Sequence, residues 1–118
     1  MKPKNVNIGP LKIKKKGNKK MEKFIDEKVI IRGDRSGVFY GTLVAKDGKE
    51  VELHNCRRLW YWDGANSISE IALNGVKKPE RCKFTVEVES IIITDAIEII
   101  KCSESAIKSI ESVKVWTF

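Results

Sequence analysis

Residues 38–54 read VFYGTLVAKDGKEVELH, two strand-forming runs joined at Asp47-Gly48. An Asp-Gly pair between such runs is the strongest short-range signal for a hairpin, because the favoured tight turn needs positive φ at its central positions. Val38 to Ala45 is therefore expected as one strand. The next, Glu50 to about Trp62, sets Val51 and Leu53 against Glu52 and His54, which makes one face buried and the other wet. Upstream, Val29-Ile30-Ile31 is a short apolar run that ends in the turn-rich Gly33-Asp34-Arg35-Ser36-Gly37. Three antiparallel strands in succession make a meander.

Downstream, Asp63-Gly64-Ala65-Asn66 breaks the run and a helix is expected at once. Ser67-Ile68-Ser69-Glu70 has the form of a capping box, in which the serine hydroxyl takes an amide three residues on. Ile68, Ile71 and Ala72 share a face, and Asn74-Gly75 offers a left-handed stop. After Pro79, Cys82, Phe84, Val86 and Val88 alternate with Lys83, Thr85, Glu87 and Glu89, the pattern of a half-buried strand. Ile91 to Ile100 extends this as one strand or two, with Thr94-Asp95 as the break. Ser103 can cap a final helix bearing Ala106, Ile107 and Ile110, and Val113 to Trp116 packs back onto the sheet. The expected fold is α+β: a small antiparallel sheet, meander plus further strands, with two short helices.

Charge divides the chain. Of the 23 Lys and Arg residues in this 118-residue protein, eight are lysines within residues 1–20, which hold no acid. Setting them aside leaves 15 basic against 16 acidic residues, a near-neutral body. Residues 1–20 are expected to be a disordered basic tail, and 21–118 a single domain, with Met21 a candidate internal start. No apolar run approaches the roughly 20 residues that span a bilayer. With no apolar signal core behind the first lysines, a cytoplasmic protein is expected. Cys56, Cys82 and Cys102, odd in number and widely spaced, are expected as buried free thiols.

The densest chemistry lies in Arg57-Arg58-Leu59-Trp60-Tyr61-Trp62. On a strand, Arg58, Trp60 and Trp62 share one face and Arg57, Leu59 and Tyr61 the other. Either face sets a guanidinium beside an aromatic ring, which suits a base stacked on the ring and a phosphate held by arginine. The competing reading makes the rings core or interface residues and the arginines partners of nearby carboxylates. The Gly33–Gly37 turn, with Arg35, resembles an anion-binding nest but lacks the lysine and the helix of a P-loop. A plain β-turn is the simpler account. His54 stands alone, without ligands at metal spacing, and no carboxylate pair suggests acid–base work. No catalytic, metal or cofactor site is expected, and the protein is read as non-enzymatic.

Three blocks together resemble a known family. They are Arg32 to Gly41; Arg57 to Ala65 with Ser67-Ile68-Ser69; and Gly75 to Pro79 through Cys82-Lys83-Phe84, Asp95 to Ile99 and Lys108 to Trp116. In this order they resemble small phage and prophage proteins carried under domain-of-unknown-function names. The likeness covers about Lys28 to Trp116 and excludes the basic tail. It brings no catalytic residues, and it implies a setting: a phage accessory protein acting early against host defence, in the host cytoplasm. The resulting expectation is a homo-oligomer that binds and sequesters a nucleotide-like signal. Arg57 and Arg58 would hold phosphates, Trp60, Tyr61 or Trp62 would stack the base, and Gly33, Arg35 and Gly37 would line the pocket. The alternatives are a nucleic-acid binder using the same aromatics with the tail, and an inhibitor that docks on a host defence protein.

Overall fold

The computed structural model describes residues 23–117. The tail expected at residues 1–20 lies outside them. The expected meander forms from β1 (Lys28–Gly33), β2 (Val38–Asp47) and β3 (Glu50–Tyr61). β1 and β2 pair with Ile30 opposite Tyr40, and β2 and β3 with Phe39 opposite Arg58. Gly48, at φ 59, closes the β2–β3 hairpin. Three further strands complete the sheet: β4 (Lys83–Phe84), β5 (Val88–Ile93) and β6 (Ala96–Lys101). β6 lies antiparallel to β1, so the sheet runs β4-β3-β2-β1-β6, and β5 pairs with the first half of β3. With helices α1 (Ile68–Asn74) and α2 (Glu104–Glu111), the domain is α+β.

Both helices start as their sequences dictate. The Ser67 hydroxyl accepts the Glu70 amide while Glu70 reaches back to the Asn66 amide, and Ser103 accepts the Ala106 amide. Gly75, at φ 79, ends α1 with its amide on the Ile71 carbonyl. Helices of two turns are not stable alone, so packing must hold them. Ile71, Ala72, Ala106 and Ile110 bury against Ile30, Tyr40, Leu59 and Phe84 on one face of the sheet. The other face carries no helix among the described residues. There Val29, Ile31, Phe39, Leu43, Val51, Leu53, Cys56 and Ile93 bury against one another, with Phe24, Ile25, Ala96 and Ile99 at the margin. Five strands share that cluster, so the sheet must coil round it. Each fully buried Ile, Leu or Phe contributes about 1.5–3 kcal/mol.

Two local expectations fail because β3 is irregular at two places. Asn55 adopts φ 53, a left-handed conformation that Asn tolerates better than most residues. The extra residue shifts the alternation of β3, so that Cys56 rather than Asn55 follows Leu53 into the coiled core. The partner strand cannot run straight past such a bulge. Cys82 to Glu89, expected as one strand, therefore splits: β4 pairs beside Leu59, β5 pairs from Cys56 back to Val51, and Thr85–Glu87 cross between them. Val86 and Val88, expected to be buried, are exposed. A second irregularity between Leu59 and Tyr61 turns Trp62 onto the helix-covered core, away from the face expected for Trp60 and Arg58.

Candidate functional site

The two neighbouring arginines have opposite fates. Arg57 is 6% exposed, on the helix-covered face. Its Nε donates to the Thr85 carbonyl at 3.0 Å, and its Nη1 to those of Val113 (2.9 Å) and Ile110 (3.3 Å). Its Nη2 donates to the carbonyls of Phe84 (3.3 Å) and Lys114 (3.4 Å). A guanidinium has five N–H donors, and here there are five acceptors. Arg57 therefore ties the end of α2 and the C-terminal segment to β4, over the ring of Phe84. The phosphate-holding role expected of it is corrected: its donors are committed to the chain's own carbonyls, among them that of the buried Val113. Burial pulls its pKa down from the ordinary arginine range.

Arg58, one residue on, faces the other way. Its guanidinium lies 4.4 Å over the ring of Phe39 and donates to the Ser36 carbonyl. The sheet thus brings this strand and the glycine turn together, as their pairing across β2 requires. Gly37 sits at φ 114, and a Cβ there would touch Arg58 Nη1 at 3.4 Å.

The Gly33–Gly37 turn does converge its amides on an anion, and the anion is Asp95. One carboxylate oxygen accepts the Arg35 amide (2.8 Å) and the Ser36 amide (3.0 Å), and the other the Ser36 hydroxyl (2.5 Å). The Asp34 amide donates to the Asp95 carbonyl at 2.8 Å. These bonds, the Ser36 hydroxyl foremost and then the Arg35 amide, hold the Asp95 carboxyl below the usual range. Gly33 cannot carry a side chain here, because a Cβ would strike Ser36 Oγ and stand 2.7 Å from Asp95 Oδ1. As a pocket wall for phosphate, Gly33 and Gly37 are corrected: the nest is filled from within. The Arg35 side chain is exposed at its rim.

What remains open is aromatic. Trp60 is 62% exposed and Tyr61 50%. The rings of Trp60 and Trp116 are parallel within 1°, their centroids 6.3 Å apart. Trp116 is placed by the C-terminal segment, whose Val115 bridges Phe84 in parallel while the Trp116 amide donates to the Phe84 carbonyl. Lys83 lies opposite Tyr61, and its Nζ stands 5.4 Å from the Trp116 ring and 5.9 Å from that of Tyr61. A cleft of about 520 Å³, lined among others by Pro79, Glu80, Lys114, Val115 and Trp116, runs beside this platform. Neither Arg58 nor Trp60 lines that cleft.

The expected site therefore separates into three parts: a structural arginine (Arg57), a self-filled turn with Arg58 beside it, and an exposed platform of Trp60 and Tyr61. Sequence reasoning missed Asp95, Lys83 and Trp116. Asp95 looked like a strand break, although convergent amides always call for an acceptor. Lys83 looked like one residue of a wet face, and Trp116 like the end of the chain. Elsewhere, Cys56, Cys82 and Cys102 are buried free thiols as expected. Burial pushes Cys56 and Cys102 up to about 12. His54 pairs with Glu52 at 2.8 Å, and no cluster of metal-binding groups occurs among the described residues. No helix there is long and apolar enough to cross a membrane.

A family model described as a domain of unknown function (DUF6948) matches residues 26–110, a span that includes Trp60 and stops short of Trp116. No curated protein matches the chain.

Proposed function

We propose, on the premise that the chain belongs to this family of domains of unknown function, that it is a non-catalytic binding domain that recognises a nucleobase by stacking. The observation that carries the reading is the parallel pair Trp60 and Trp116 with the Lys83 ammonium against it. An exposed indole offers a flat polarisable face to any base, and a nearby cation complements the phosphate that accompanies it. Of the rings expected to stack, Trp60 and Tyr61 remain, Trp62 drops out and Trp116 is added, while the charge expected of Arg57 and Arg58 passes to Lys83. In the setting implied by the resemblance, such a domain serves a phage by capturing a nucleotide-bearing molecule of host defence, and a homo-oligomer would enclose the ligand more fully.

Calorimetric titration of the full chain with nucleotides and short oligonucleotides tests this. Binding to at least one, weakened in Trp60→Ala, is expected. Absence of binding to all of them rejects it. Val86 and Val115, exposed by 61% and 48%, favour a second reading in which the same rings anchor a protein partner. A stoichiometric complex with a host protein, lost in Trp60→Ala and unaffected by nucleotide, would establish that reading instead.

A further inference from the structure

We infer that the ligand is single-stranded nucleic acid rather than a free nucleotide, an inference that rests on the stacking reading above. A site for a small molecule encloses most of its ligand, about 70–90% of the surface. The Trp60–Tyr61 platform is open to solvent, and neither ring lines the cleft beside it. A base laid on Trp60 would keep its other face in water, which costs a mononucleotide its affinity but leaves a polymer free to repeat the contact.

The charge points the same way. Tight capture of a terminal phosphate calls for convergent donors, and the three candidates for that are engaged elsewhere: Arg57 with five carbonyls, the turn amides with Asp95, and Arg58 with the Ser36 carbonyl over the Phe39 ring. The cations left at the platform are Lys83 and, on the cleft, Lys114, partly opposed there by Glu80. Lysines on flexible stems are point charges that track a backbone rather than fork onto one phosphate. The net charge of +7 comes entirely from the eight lysines of residues 1–20, a run that complements a polyanion and not a single nucleotide. Trp60 on β3 and Trp116 beyond β4 give two parallel rings whose stack a run of bases can extend.

The test is fluorescence anisotropy of the full chain with short labelled oligodeoxythymidine and oligouridine, competed by the corresponding mononucleotides. The two oligomers separate DNA from RNA as the source. Expected is binding of an oligomer at least roughly tenfold tighter than of its mononucleotide, weakening as salt rises. Trp60→Ala should weaken it by roughly five- to a hundredfold, the range of one lost base stack. Leu73→Ser, which alters an equally exposed apolar residue on α1, should leave it unchanged. A mononucleotide that binds as tightly as the oligomer, in a manner lost with Trp60→Ala, would overturn the inference and leave the stacking reading standing. Oligomer binding that Trp60→Ala does not weaken would overturn it too, assigning the affinity to lysine charge alone. Failure of every oligomer and nucleotide to bind would remove both.

Discussion

Asp95 and Ser36 meet at the foot of the sheet, the Ser36 hydroxyl and amide both donating to the Asp95 carboxylate, at 2.5 and 3.0 Å. The contact joins the β1–β2 turn to the β5–β6 corner, two segments 59 residues apart in sequence. It makes an apparent phosphate nest into a structural clasp. The same carboxylate links the clasp to pH. Its folded-state pKa is depressed, so its contribution to stability is present above the unfolded value and is lost as pH falls through the folded one.

Stability to urea should therefore decline as pH drops below about 4, the ordinary carboxylate range. Glu111, lowered mainly by the Tyr40 hydroxyl that donates to it, adds to the same acid limb. Asp95→Asn should lower stability at neutral pH and flatten the decline, since the amide no longer titrates. An unchanged slope in that variant would show that the clasp does not contribute to the acid limb.

Gly33→Ala should destabilise the domain by about 1–3 kcal/mol, the usual cost of overpacking, because the added methyl would enter the space of Ser36 Oγ and Asp95. Chemical denaturation measures it. In the Asp95→Ala background part of that space is vacated, so the penalty should shrink.

Arg57→Met should cost about 3 kcal/mol or more, since it leaves the carbonyls of Thr85, Val113 and Phe84 without their charged donor. Any loss of ligand affinity should follow the loosening of the C-terminal segment that places Trp116, and should be as large for an uncharged nucleoside as for its nucleotide, which separates a structural arginine from a phosphate-binding one. Loss of affinity at full stability would reverse the assignment.

Cys56 and Cys102, with thiols pushed up to about 12 by burial, should resist alkylation in the native state at mildly alkaline pH. Mass spectrometry after iodoacetamide should find these two unmodified, and all three cysteines modified once the chain is unfolded. Rapid native modification of Cys56 would mean that the coiled core opens readily.

The elements that depend on local chemistry were legible from the residues themselves. Asp47-Gly48 marked the hairpin, Ser67 and Ser103 marked the helix starts, and Thr94-Asp95 marked the β5–β6 corner. The failures come from partners distant in sequence. Nothing near Val86 says that Asn55, about thirty positions earlier, bulges β3 and splits the strand opposite it. Arg57 and Arg58 look equivalent in sequence, and only the arrival of α2 and β4 on one face decides that the first is buried and the second is not. The glycine turn was legible as an anion nest, but the identity of its anion depends on a corner formed by β5 and β6. Trp116 gains its significance from the parallel bridge between Val115 and Phe84, a pairing that periodicity does not reveal.

Stacking of a base on the Trp60–Trp116 platform can be followed through the indole N–H signals of the three tryptophans by NMR as single-stranded oligonucleotide is added to the full chain. Ring currents from a stacked base should shift the Trp60 and Trp116 signals together, while Trp62, packed against the helix-covered core, stays in place. Saturation of binding with the Trp60 and Trp116 signals unmoved would show that no base stacks there.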